Sequence, residues 1–218
     1  MNLAEARAEI LRILAADLGE LIEGESPTAA PPIALTSWEI PEGDREALGA
    51  YGLPGQRSDE LMGVVGEFQD GAAPALGHAT TRFYRIGSFG SATLGSMTGR
   101  GSVFTMPTKA PSHPQLAHLN ASDQKEALVN SSLSIFVDCA WRWHRLVGVL
   151  AEQEVAAGQA EVAAWRAAKD ESERVAIPDF RGARLELSRM VHKDFVRRDP
   201  GAISPDDSFW SEVILDVS

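Results

Sequence analysis

An α+β fold is what this chain of 218 residues predicts, on three observations. Its first two dozen residues carry apolar side chains at helical spacing. Three short stretches between residues 82 and 106 are rich in β-forming residues and separated by glycine-bearing turns, and a long apolar stripe at helical spacing follows Asn130. Hydrophobic residues make up 44% and charged residues 23% of the chain, the balance of a folded globular protein. The length suits one domain over residues 1–218.

The opening helix is drawn by Leu3, Ala6, Ile10, Ile13, Leu14, Leu18 and Leu21, with Glu5, Glu9, Arg12 and Glu20 on other faces. Gly24, Ser26 and Pro27 end it, and Ala29 to Pro32 reads as an extended connector, so residues 1–32 form an N-terminal helix and linker. Asp44 is placed to cap a short helix that Gly49 or Gly52 closes, with Leu53 anchoring the chain beyond it. Arg82 to Phe89, Ala92 to Met97 and Ser102 to Met106 read as strands, the last two joined through Thr98-Gly99-Arg100-Gly101.

Asn130 or Ser131 then caps a long helix that buries Leu133, Phe136, Ala140, Trp143, Val147 and Leu150. Asp138, Trp141, Arg142 and Arg145 fall on its other face, which predicts a partly exposed Trp141. Glu152 to Arg174 is alanine-rich and helix-permissive, and a further helix runs over roughly Arg184 to Val196.

Several kinds of chemistry are disfavoured. No apolar stretch reaches bilayer length, and acids stand where a secretion signal needs a basic segment. The single Cys139 fits a reducing compartment, so a cytoplasmic location is expected. Gly95-Ser96-Met97-Thr98-Gly99 sets its serine one position early for a nucleophile elbow. Gly87 to Gly95 lacks the lysine and hydroxyl of a phosphate-binding loop, and His113 and His118 have no third ligand at metal-site spacing. Cys139 and His144 point in different directions on one helix. The pairs Asp59-Glu60 and Asp206-Asp207 read as solvated surface. No catalytic residue, cofactor or metal is therefore expected.

Several segments together resemble the SUKH superfamily of yeast cell-wall-synthesis regulators and bacterial immunity proteins, and its fourth family in particular. They are Trp38 to Pro41 with Tyr51-Gly52-Leu53-Pro54, Tyr84-Arg85-Ile86-Gly87 to Thr98-Gly99, Leu128-Val129-Asn130-Ser131-Ser132-Leu133-x-x-Phe136, and Asp199-Pro200 to Phe209-Trp210. These pieces span residues 38–214, and the Val-Asn-Ser-Ser-Leu element is the most specific. The sequence departs from the family at Gly95, where an acid often precedes the Thr-Gly turn, and in an apparent helical insertion near 152–180.

The resemblance implies a mixed, mostly antiparallel sheet flanked by helices, and a non-enzymatic immunity protein that neutralises a cognate protein toxin. Toxins paired with the superfamily include nucleases, nucleic-acid deaminases and ADP-ribosyltransferases. A scaffold or regulatory module shares the fold and stays open as the alternative.

Charge adds an expectation about where a partner binds. The net charge is −11, and residues 1–70 hold fourteen acids against four bases. Direct nucleic-acid binding is disfavoured and a basic protein surface favoured. The expected partner-binding residues are Glu39, Glu42, Asp44, Glu46, Asp59, Glu60, Glu67 and Asp70.

Overall fold

The computed structural model describes residues 1–59, 61–77, 81–106, 126–168, 179–204 and 208–215. The first helix, α1 (Leu3–Ala15), starts in a capping box: Asn2 accepts from the Glu5 N–H, and the Glu5 carboxylate accepts from the Asn2 N–H. It buries Ala6, Ile10, Ile13 and Leu14. The chain then turns extended at Ala16 and resumes as α2 (Leu18–Ile22), so the single helix expected through Leu21 is two. Arg142 explains the break. Its buried guanidinium donates to the carbonyls of Ile13, Leu14 and Ala16 at 2.6, 3.1 and 2.9 Å, satisfying acceptors that a helix end leaves free.

The expected extended connector ends in a short helix, α3 (Pro32–Ser37), with proline in its first position where the missing N–H costs nothing. Next, α4 (Glu42–Tyr51) closes on Gly52 at φ +57°, where a Cβ would lie 2.5 Å from the Thr28 carbonyl oxygen. Pro41, and not Asp44, occupies the cap position of α4.

Six strands follow among the described residues: β1 (Val64–Gly66), β2 (Ala75–Leu76), β3 (Arg82–Phe89), β4 (Ala92–Met97), β5 (Val103–Met106) and β6 (Ala127–Asn130). Their order is β1-β3-β4-β5-β6, with β2 also on β3, and every described pairing is antiparallel. The three expected strands and the turn between β4 and β5 are all present. One face sends Tyr84, Ile86, Leu94, Val103 and Val129 into the core. Phe83 lies against Gly95, whose Cβ would come 2.5 Å from the ring, so the departure from the family pattern at Gly95 makes room for an aromatic side chain.

The long helix α5 (Leu133–Ala167) begins at Ser132, whose hydroxyl accepts from the Ile135 N–H. All six expected stripe residues are buried. Trp141, however, is 0% exposed rather than partly exposed. Helices α1, α2 and α4 pack on this helix and enclose the side the amphipathic pattern left for solvent. Beyond Ala157, its last buried residue, the helix emerges with Val162 and Trp165 exposed, and this overhang lies within the expected insertion. Helices α6 (Gly182–Arg198) and α7 (Phe209–Leu215) complete the described elements.

Candidate partner-binding surface

Two of the segments that carry the family resemblance, Leu128 to Phe136 and Asp199 to Trp210, converge on a buried polar knot. Asn130, at the end of β6, donates from Nδ2 to Asp199 at 3.0 Å and accepts from the Trp210 indole at 2.9 Å. The Ser131 N–H also donates to Asp199, at 2.7 Å. Burial pushes the neighbouring Cys139 thiol well above its ordinary pKa, which keeps it protonated. A second junction joins Trp38, stacked on Tyr84 at 4.5 Å between ring centroids, with the Glu39 N–H donating to the Tyr84 hydroxyl. These groups hold strands to helices and leave no reacting atom in reach of solvent.

The expected acidic residues divide. Asp44 is 2% exposed and leaves the candidate surface. Its Oδ1 accepts from the Ser134 N–H at 2.8 Å, so it caps the first turn of α5 across 90 positions of sequence. Gly101, at φ +72°, must lack a side chain there, because a Cβ would lie 1.8 Å from Asp44 Oδ2. Glu60 lies outside the described residues, as do His113, His118, Asp206 and Asp207.

Glu39, Glu42 and Glu46 are exposed on and just before α4, beside the β4–β5 turn, whose Gly99 N–H donates to the Glu39 carbonyl. The Trp38 indole donates to the Gly71 carbonyl at 3.1 Å, which brings exposed Asp70 to the same end of the molecule. Glu42 pairs with Arg45 and Glu67 with Arg85. Among the described residues, none of the ion pairs involves Glu39, Glu46 or Asp70. Their charge is available to a partner.

Asp59 belongs to a different place, a polar recess of about 390 Å³ that Glu25, Arg57, Asp59, His144 and Arg145 line. A bidentate contact from Arg57 holds the Asp59 carboxyl down at about 2. Arg57 also donates to the His144 carbonyl, and Glu25 receives both His144 Nε2 at 3.3 Å and Arg145 at 2.6 Å. Burial, and then the positive charge of Arg57, lowers the His144 pKa, which favours the neutral ring. Each arginine therefore has a carboxylate, and the recess ties the segment before α3 and the segment before β1 to the middle of α5. Sequence reading passed over Glu25 and Arg57 because only the fold brings them to His144.

Among the described residues no group of three or more histidine, cysteine or acidic side chains is arranged to hold a metal, and no helix is long and apolar enough to cross a membrane. No curated protein and no solved structure matches the chain. A family model does match it over residues 13–216, that of the SUKH-4 immunity proteins.

Proposed function

The chain belongs to the SUKH-4 immunity protein family, and from that premise we propose that it is a cytoplasmic antitoxin that binds a cognate protein toxin and blocks it without catalysis. The family match over residues 13–216 carries this reading. The contact surface is the acidic end formed by Glu39, Glu42, Glu46 and Asp70. A toxin acting on nucleic acid or a phosphate-bearing cofactor presents a positive cleft, and exposed carboxylates that no arginine holds steer an inhibitor onto it. Glu42, Asp59 and Glu67, already paired with arginines, contribute less.

The test is to purify the tagged chain from its native host, identify the protein bound stoichiometrically, and express that protein with and without the chain. The expected result is a partner that stops growth alone and is silenced in a one-to-one complex. A harmless partner, or a toxic one that the chain binds without protecting the cell, would overturn the proposal.

A further inference from the structure

A groove runs between α1 and α6 that the acidic surface does not use. Leu3 and Arg7 face the first turns of α6, Leu11 and Leu14 face its last turns, and Met190 and Lys193 border both halves. The two helices therefore run the same way, and two adjoining recesses, of about 620 Å³ and about 340 Å³, lie along their seam and share Met190 and Lys193. Leu14 and Met190 form an apolar floor, while Leu3 and Leu11 stay 46% and 50% exposed on the α1 wall. Two packed helices with an open apolar seam present the site that a third helix fills.

We propose that this groove receives an acidic amphipathic helix of a partner protein. Its rim supplies the charge argument. Arg7, Arg189 and Lys193 are exposed, and none of the ion pairs among the described residues involves them. Of the lining acids, Asp194 is already held by Arg197 and Arg198, which leaves Glu186. In a chain of net charge −11 this is a local excess of positive charge. Carboxylates on either side of an apolar ridge would meet the rim while the ridge reaches the floor. The floor lies below that rim, where a ridge of side chains reaches and a flat bilayer does not. The length of α1, thirteen residues and about 20 Å, sets the occupant at three to four helical turns. Part of the α1 wall, up to Arg12, precedes the stretch that the family model matches, and the inference does not depend on toxin binding.

The experiment displays a library of helical peptides with a fixed leucine ridge and glutamate, lysine, glutamine or serine at the flanking positions, selected on the full-length protein. Selection should enrich glutamate. The best peptide should weaken by about tenfold or more against an Arg7→Glu/Arg189→Glu/Lys193→Glu variant and against Leu11→Asp, both at exposed positions that leave the fold intact by circular dichroism. Lysine-rich winners, no winners, or winners indifferent to these changes would overturn the proposal. So would phosphatidylserine vesicles, or a second copy of the chain seen by sedimentation, occupying the groove in place of the peptide.

Discussion

Replacing Asn130 by alanine tests whether the most specific sequence element is a folding device. In the native protein its side chain accepts from the Trp210 indole at 2.9 Å and donates to Asp199 at 3.0 Å. Asn130 and Trp210 are 0% exposed and Asp199 is 2% exposed, so water does not replace the lost partners. Alanine leaves the indole N–H without an acceptor and Asp199 with the Ser131 N–H as its remaining donor in the knot. Each orphaned buried group costs about 1–3 kcal/mol, more when charged, which sets the loss at about 3–5 kcal/mol. For a protein of this size that lowers Tm by about 6–20 °C. Urea unfolding followed by circular dichroism reads the loss directly. Trp210→Phe keeps the edge contacts with Phe195 and Phe209 and removes the N–H, so a double-mutant cycle isolates the hydrogen bond. A loss under about 1 kcal/mol, with no coupling to Trp210→Phe, would refute the reasoning.

Other perturbations give distinct readouts. Phe136→Ala, at a fully buried position of α5, should cost about 3–5 kcal/mol by the same assay, and an unchanged Tm would contradict its packing. Gly99→Ala, at φ +76° with open space around it, should cost about 1–2 kcal/mol of backbone strain. Gly101→Ala must cost more, since it also meets Asp44, and equal losses would count against that contact. The His144 pKa is lowered from 6.5 by burial, so the unfolded chain takes up a proton before the folded one does. Stability therefore falls as pH drops below about 6.5, and the loss should shrink in His144→Asn; identical pH profiles would show that His144 charges freely in the folded state. The buried Cys139 thiol should react with a thiol reagent only after unfolding, and reaction at the native rate of a free thiol would place it at the surface.

The helices α1, α5 and α6 were legible because each repeats its period over enough residues to declare a face, and β3 to β5 because glycine-bearing turns set off their β-forming residues. Strands β1, β2 and β6 hold two to four residues each and borrow their conformation from neighbours, so they carry no period of their own. Amphipathic reasoning misjudged Trp141 because it assumes one wet face, whereas α1, α2 and α4 cover the far side of α5. Asn130 or Ser131 was expected to cap α5, but the cap is Ser132, because Asn130 and the Ser131 N–H turn to Asp199 instead; that link from Asn130 to the C-terminal tail, 80 positions away at Trp210, appears only in the fold. Asp44 was legible as a capping acid and not as the cap of another helix. The acidic character of residues 1–70 was visible in composition. The Glu42–Arg45 pair has the i,i+3 spacing of a helix and was open to sequence reading, whereas Glu67 meets Arg85 only once the sheet has formed.

The central claim is that exposed acids at the α4 end bind the toxin. The measurement is the association rate of the purified toxin with wild type and with a folded Glu39→Lys/Glu42→Lys/Glu46→Lys/Asp70→Lys variant, each at low and high salt. Attraction between exposed charges is screened over about 8 Å at physiological ionic strength. The account predicts a wild-type rate that falls steeply with salt, and a variant that associates at least about tenfold more slowly at low salt. Equal, salt-independent rates for the two proteins would contradict it.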